Sequence, residues 1–257
     1  MHAETGEATT PMRSITHIFF DAGGTIIEIE YENLKEVLRQ VRSSAPGADP
    51  GARAEDGIPT DEAFAAAERP ARAWFLKQVE NGIPDDIWWL YFRRILEGAG
   101  AEPEVIPAAL ERLWTVNVER GLWQRAAPDA TASLDALREA GYSLSVISNS
   151  EGRVANDIAI AGLAHHFETV VDSHLVGVSK PDPRIFEIAL ERTGAEAARS
   201  VYVGDIYAID VVGARAAGLT PILIDRLRLQ IDRPCRRIES LGEMTGLMDP
   251  PGAIVPF

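Results

Sequence analysis

The second half of the chain alternates short apolar runs with helical segments, and this alternation restricts the fold more than any other feature. Helical periodicity fills the segments between four apolar runs that predict strands. These runs end at Ile147, Val171, Val203 and Ile224. Such alternation is typical of a doubly wound parallel sheet. An earlier run, 14–20, predicts one more strand that stops at Asp21, just before a glycine pair. The sequence therefore predicts an α/β fold with a Rossmann-like, doubly wound parallel sheet as its core.

The stretch between the first predicted strand and the later alternation has a different character. Apolar residues recur there at helical spacing, and no pair of strands is recognisable. We expect this stretch, 31–118, to form a helical insertion. The core would then consist of 14–30 and 119–257, preceded by a flexible leader at 1–13.

The net charge and the cysteine count exclude several classes of protein. A formal net charge of −14 repels nucleic-acid backbones, but it is compatible with a small anionic substrate held in a local pocket. The single cysteine, Cys235, can form neither a disulfide framework within the chain nor a cysteine-based zinc site. No segment has the apolar character of a membrane span or a signal peptide. We expect a cytoplasmic, soluble protein that acts on a small molecule, without nucleic-acid or membrane partners; the sequence predicts no oligomeric state.

Polar side chains stand at the carboxyl ends of three predicted strands. Asp21 ends the first, Ser148-Asn149 ends the second, and Asp205 ends the third, while Lys180 lies in a loop between the second and third groups. Taken singly, each is equally well a turn residue, a helix cap or an exposed charge. Ligands bind at this edge of a parallel sheet, however, so together these groups predict a site for transferring an anionic group.

Four segments of the chain carry a family resemblance, and they read FFDAGGT, VISNS, VSKPDPRIFEIAL and YVGDIYAIDVVGARAAG. They resemble the haloacid dehalogenase superfamily of hydrolases, in the branch with a helical cap, here 31–118, inserted after the first strand. These segments extend from about Ile15 to Ile224, and the cap matches only in character. The resemblance implies that Asp21 is a nucleophile forming a covalent aspartyl intermediate. It also implies that Ser148 hydrogen-bonds the transferring group and that Lys180 neutralises its charge.

The same resemblance implies a magnesium site and an oxyanion cradle. Asp205 would ligate Mg²⁺ together with Asp21, and Asp210 would support the site, since Mg²⁺ prefers oxygen ligands. Backbone amides near Ala22 and Gly23 would hold substrate oxygens, because glycine permits close approach. A further predicted substrate-binding residue is Asn149.

Position 23 departs from the family pattern. Phosphatases of the superfamily usually carry a second aspartate there, which protonates the leaving group, and here it is Gly23. Loss of a positioned acid costs about 10²–10⁴-fold in rate. The favoured function is a Mg²⁺-dependent phosphatase for a small phosphorylated metabolite. A 2-haloacid dehalogenase and a catalytically weak binding or regulatory protein remain alternatives. A phosphonate-cleaving enzyme would need Lys35 or Lys77 as a Schiff-base lysine in the cap.

Aromatic residues are frequent in the predicted cap. We expect its tryptophans to pack between helices rather than to face a substrate. They are Trp74, Trp88, Trp89 and Trp114.

Overall fold

The computed structural model describes residues 15–45, 57–82 and 84–247, so the predicted leader at 1–13 lies outside the described residues. Its strands form one large sheet and one small ribbon. They are β1 (His17–Phe20), β2 (Ile27–Ile29), β3 (Trp123–Ala126), β4 (Ser143–Ser148), β5 (Thr169–Asp172), β6 (Ser200–Gly204), β7 (Thr220–Ile224) and β8 (Arg236–Ile238).

Helices connect these strands. They are α1 (Tyr31–Ser44), α2 (Asp61–Glu80), α3 (Ile87–Gly98), α4 (Ile106–Arg120), α5 (Ala130–Glu139), α6 (Val154–Ile160), α7 (Ser173–Val176), α8 (Pro183–Thr193), α9 (Val212–Ala216) and α10 (Glu243–Leu247). A π-helical turn, Tyr207–Val211, precedes α9. Within the described residues, no helix combines the length and apolar character that crossing a membrane requires.

The large sheet confirms the predicted α/β fold. Its six strands are all parallel and run in the order β5-β4-β1-β6-β7-β8. Neighbouring residues of β1, such as Phe19 and Phe20, are both fully buried, because helices cover the two faces. The central position of β1 places its carboxyl end between the ends of β4 and β6.

Three strands were not predicted: β2, β3 and β8. The apolar run ending at Ile224 was expected to be the last strand, and that prediction is wrong because β8 follows it. β8 has only three residues, two of them arginines, so its sequence has no strand character of its own. Pairing creates it: Ile222 lies beside Arg236 and Ile224 beside Ile238 in parallel register.

The four helices between β2 and β3 form what we call the helical insertion (α1–α4). It has a hydrophobic cluster of its own, in which Phe64, Phe92 and Leu113 are fully buried. β2 leads into the insertion and β3 returns from it, and the two strands pair in antiparallel fashion. This two-stranded connecting ribbon (β2–β3) therefore joins the insertion to the sheet.

Local sequence signals set the bounds of the helix that follows the Lys180 loop. The Asp182 side chain accepts a hydrogen bond from the amide of Arg184 (2.9 Å) at the start of α8, and Pro183 occupies the first turn. Gly194 ends the helix with a φ of 68°, a left-handed conformation that glycine adopts without strain. These signals fix the start of α8 next to Lys180.

Candidate active site

The carboxyl ends of three neighbouring strands bring polar side chains together, as the sequence predicts. Asp21 directly follows β1, Ser148 is the last residue of β4, and Asp205 directly follows β6. All three are buried. Their proximity follows from the strand order, because β1 lies between β4 and β6.

Lys180 occupies the centre of this group. Its Nζ donates to Asp21 Oδ1 (2.5 Å), to Asp210 Oδ1 (2.8 Å) and to the hydroxyl oxygen of Tyr202 (2.8 Å). An ammonium group has three N–H donors, so all of them are used. The side chain is 2% exposed, which means that nearly every stabilising contact for its charge comes from these partners.

Protonation in the centre is set by burial and by these ion pairs. Burial raises the pKa of the Asp21 carboxyl, although the Lys180 ammonium acts in the opposite direction. Burial alone would lower the pKa of Lys180, but the carboxylates of Asp21 and Asp210 outweigh it and raise that pKa. Lys180 is therefore held in its charged form beside the nucleophile candidate.

Tyr202 is a member of the centre that the sequence analysis missed. Its hydroxyl lies 3.0 Å from Asp210 Oδ1 and 3.2 Å from the carbonyl oxygen of Ile147, in addition to its contact with Lys180. Burial, followed by the Asp210 charge, raises the pKa of Tyr202 well above its usual value, so the phenol stays protonated. In the sequence it is one residue of a buried apolar strand, and nothing there distinguishes it.

Asp210 is built into the backbone of the loop that follows β6. Its Oδ2 accepts a hydrogen bond from the amide of Ile206 (2.9 Å), while its Oδ1 faces Lys180. A Cβ at Gly204 would collide with the Asp210 side chain, so glycine is required for this close approach. The position of Asp210 is thus fixed by the glycine that precedes Asp205.

Asp205 contacts the helical insertion. The Arg72 guanidinium, from α2, forms an ion pair with Asp205 Oδ2, whereas the buried Asp205 Oδ1 has no hydrogen-bond partner. Burial raises the pKa of Asp205 to about 7, despite the opposing effect of Arg72. The Gln230 side chain donates to the Asp205 carbonyl oxygen (2.7 Å), which fixes the backbone at this point.

The donor set fits a hard divalent cation. Asp21, Asp205 and Asp210 each offer a carboxylate oxygen, and these three atoms lie within 4.8 Å of one another. The unpartnered Oδ1 of Asp205 is a buried acceptor that a cation would satisfy. A Cβ at Gly24 would collide with the Asp205 carboxylate, so that glycine keeps the space open. Oxygen-only ligands of this kind suit Mg²⁺.

Asn149 stands at the end of β4, but its side chain is engaged in positioning Lys180. Its Oδ1 accepts from the Lys180 amide (2.8 Å), and its Nδ2 donates to the Lys180 carbonyl oxygen (3.0 Å). Substrate binding by Asn149 stays a prediction. The same holds for the backbone amides at Ala22 and Gly23, which do border the space in front of Asp21.

The space in front of Asp21 is a cavity of about 290 Å³ between the sheet edge and the helical insertion. Its lining includes Asp21, Ser148 and Lys180 from the sheet side and Phe75 and Trp88 from the insertion. A larger cavity of about 500 Å³ adjoins it. Both cavities share three lining residues. These are Arg72, Tyr91 and Trp123.

The expectation that the cap tryptophans pack between helices holds only in part for two of them. Trp88 packs against Phe92 with ring centroids 4.5 Å apart, as expected of a packing residue, yet it also faces the cavity in front of Asp21. Trp114 is 38% exposed rather than buried between helices. Trp123, on the connecting ribbon, was not considered as a cavity residue because it follows the predicted cap.

A family model described as haloacid dehalogenase-like hydrolase matches residues 15–218. The chain belongs to this family. The match extends from β1 beyond α9, so it includes Asp21, Ser148, Lys180, Asp205 and Asp210. Membership makes the chain a hydrolase and favours the two hydrolytic alternatives over the binding or regulatory protein.

Two individual proteins that resemble the chain agree with this assignment. Haloacid dehalogenase-like hydrolase domain-containing protein 3 of Mus musculus is 31% identical over 218 residues, covering 83% of this chain and 82% of the relative. The phosphoserine phosphatase of Thermus thermophilus is 37% identical over 136 residues, which are 52% of this chain and 53% of that enzyme. The chain thus matches only about half of that phosphatase.

A solved structure gives the same result for the fold. A phosphatase of the family from Thermococcus onnurineus has a TM-score of 0.56 and 25% sequence identity, covering 94% of this chain and 100% of the other. The alignment therefore extends over nearly the whole chain.

Proposed function

We propose that this hydrolase is a Mg²⁺-dependent phosphatase for a small phosphorylated molecule, with Asp21 as its nucleophile. The observation that carries the proposal is the buried cluster in which Lys180 bridges Asp21 and Asp210 while Asp205 keeps an unpartnered carboxylate oxygen. A phosphoryl group has several negative oxygens, and a site combining a cation, a nucleophile and metal ligands suits its transfer. Relatives named as phosphatases support this choice.

The proposed reaction has two steps. Asp21 attacks phosphorus, the bond from phosphorus to the leaving oxygen breaks, and an aspartyl-phosphate forms. Water then attacks phosphorus, and phosphate leaves Asp21. Lys180 orients the Asp21 carboxylate throughout, and Ser148 donates a hydrogen bond to a phosphoryl oxygen. Mg²⁺ would be held by Asp21, Asp205 and Asp210, where it would supply positive charge to the phosphoryl oxygens.

The helical insertion (α1–α4) is proposed to act as a cap over the site, with 31–118 as the cap and 14–30 and 119–257 as the core. Its side chains Phe75 and Trp88 form an apolar wall opposite Asp21. Such a wall suits a substrate whose leaving group is apolar or aromatic. Specificity would then lie in the cap, whereas the chemistry lies in the strand ends.

A 2-haloacid dehalogenase is the second candidate, and Gly23 is the observation that favours it. A halide leaves without a proton, so the missing acid would be no disadvantage. That reaction has no evident use for Asp205 and Asp210, however, and both carboxylates are present with the glycines that allow their close approach.

Release of phosphate or halide separates the two candidates. The purified protein is incubated with aryl phosphates, acyl phosphates and 2-haloacids, each with Mg²⁺ and with EDTA. We expect phosphate release that requires Mg²⁺ and no halide release. Halide release that persists in EDTA would overturn the phosphatase in favour of the dehalogenase.

Replacing Arg72 with glutamine is expected to strengthen Mg²⁺ binding about tenfold, which corresponds to about 1.4 kcal/mol. The guanidinium is paired with Asp205 Oδ2, so a cation must compete with it for that carboxylate. Isothermal titration with Mg²⁺ measures the change. Arg69→Gln is the matched control, since Arg69 is exposed on the same helix. Unchanged or weaker binding in Arg72→Gln, relative to the control, would contradict the competition.

A further inference from the structure

The indole ring of Trp123 fills the space next to Gly23. A Cβ added to Gly23 would lie 3.3 Å from Trp123 Cδ1, 3.5 Å from Nε1 and 3.7 Å from Cγ. The first contact is tighter than most, so the ring would have to shift by a few tenths of an ångström to admit a side chain at position 23, while the other two are ordinary van der Waals contacts. The edge of the indole that carries its N–H therefore lies next to the position from which the family's usual acid would extend.

Trp123 is held firmly in that place by the connecting ribbon. It is the first residue of β3 and lies opposite Ile29 of β2, and the amide of Glu30 donates to the carbonyl oxygen of Leu122 (2.8 Å). Its ring packs against Phe92 of α3 with centroids 5.5 Å apart. The ring also touches the hydrophobic clusters of both the sheet and the helical insertion, so its position depends on the two together.

The indole N–H is available to a ligand. Trp123 lines both cavities, including the one that contains Asp21, and its Nε1 donates to no other described residue. An indole nitrogen donates one hydrogen bond but gives up no proton at ordinary pH. It can stabilise a negative oxygen, therefore, without acting as a general acid.

We propose that the Trp123 indole N–H donates a hydrogen bond to the leaving-group oxygen, in the place of the acid missing at Gly23. The proposal rests on the phosphatase function. When the bond from phosphorus to the leaving oxygen breaks, its electron pair stays on that oxygen, and the N–H stabilises the resulting anion. The anion takes its proton from water after it departs. In the second step the attacking water gives its proton to solvent as the phosphate leaves Asp21.

A hydrogen bond from Trp123 without proton transfer restricts the substrates that can react. A leaving group that departs as an anion must be a weak base, because no side chain at position 23 protonates it. Aryl phosphates and acyl phosphates meet this condition, whereas phosphates of alkyl alcohols do not. The apolar wall of Phe75 and Trp88 in the same cavity favours the aryl or otherwise apolar members of this class.

Rates on a series of aryl phosphates test the role of the N–H. The phenols of the series range from 4-nitrophenol to phenol, and the variants are Trp123→Phe and Trp114→Phe. Phenylalanine keeps an aromatic ring but removes the donor, and Trp114, 38% exposed on the insertion, is the matched control. We expect kcat/KM of Trp123→Phe to fall about 10-fold on phenyl phosphate. The loss on 4-nitrophenyl phosphate should be smaller, so the dependence on phenol pKa becomes steeper, while Trp114→Phe keeps the wild-type slope.

Failure of the proposed role of Trp123 and failure of the phosphatase function give different results. An unchanged slope in Trp123→Phe, with a melting temperature near that of the wild type, would overturn the role of Trp123 and leave the phosphatase intact. No Mg²⁺-dependent phosphate release from the wild type on any phosphate would remove the phosphatase itself.

A second pair of variants tests whether the Trp123 ring occupies the place of the acid missing at Gly23. Gly23→Asp alone should gain little on phenyl phosphate, since the adjacent ring crowds the new side chain. Gly23→Asp combined with Trp123→Val should gain about 10²-fold over Trp123→Val alone, the lower end of what a positioned acid contributes. An equal gain from Gly23→Asp in the presence of Trp123 would show that the ring does not occupy the place of the acid.

Discussion

Replacing Asp21 with asparagine is expected to lower phosphate release by about 10⁴–10⁶-fold, as removal of a nucleophile does in enzymes with a covalent intermediate. An amide has no charge with which to attack phosphorus. The fold should survive, because an asparagine oxygen can still accept the hydrogen bond that Lys180 Nζ now donates at 2.5 Å. Phosphate release under Mg²⁺ measures the loss, and circular dichroism together with thermal melting measures the fold.

The melting temperature of Asp21→Asn is a second test, independent of its activity. Asp21, Asp205 and Asp210 are three buried carboxylates facing two cations, Lys180 and Arg72. Removing one negative charge relieves this excess, so Asp21→Asn should melt at or above the temperature of the wild type. Asp85→Asn, an exposed site on the insertion, is the matched control for the change itself. Activity within about tenfold of the wild type would show that Asp21 is not the nucleophile.

The convergence of polar side chains on the sheet side could be predicted because each of them stands at the end of a strand. Asp21, Ser148 and Asp205 stand where apolar runs end, and in a parallel sheet those ends share one edge. Their convergence depends on the order of strands alone. Lys180 could be grouped with them because its loop lies between the second and third strand ends, but its role came only from the family resemblance.

The insertion side of the site could not be predicted. Arg72 and Arg69 lie on the same alanine-rich helix, and only the packing of α2 over the sheet edge brings Arg72 to Asp205. Trp123 depends on the pairing of β2 with β3, two short strands separated by the whole insertion. Such contacts are non-local, and the periodicity of a single segment contains no information about them.

The contacts of the C-terminal segment could not be predicted from the sequence either. The sequence beyond Arg226 has no regular periodicity, yet Gln230 holds the loop after β6 through two hydrogen bonds. Its Nε2 donates to the Asp205 carbonyl oxygen (2.7 Å), and its Oε1 accepts from the amide of Tyr207 (3.0 Å). A buried side chain that bridges two backbone groups leaves no pattern in the sequence, because its function is defined by partners in another segment.

Replacing Lys180 with methionine is expected to abolish activity and also to destabilise the protein by about 3–5 kcal/mol. Methionine fills a similar volume, but Asp21 and Asp210 are then left facing each other, buried and without the cation between them. Urea unfolding in EDTA at pH 7 measures the free energy of unfolding. Lys77→Met is the matched control, since Lys77 is exposed in the last turn of α2.

The dependence of this destabilisation on pH distinguishes lost charge pairing from lost packing. Burial raises the pKa of Asp21 in the folded protein, with Asp210 adding to the increase, and removal of Lys180 takes away the main opposing charge. A carboxyl whose folded pKa lies above its unfolded value stabilises the fold below that unfolded value and loses this contribution as pH rises through the folded pKa. The deficit of Lys180→Met relative to the wild type should therefore be largest at neutral pH and should shrink as pH falls toward about 4. A deficit that is constant over this range would mean that the lost packing of the lysine side chain, and not two unpaired carboxylates, destabilises the variant.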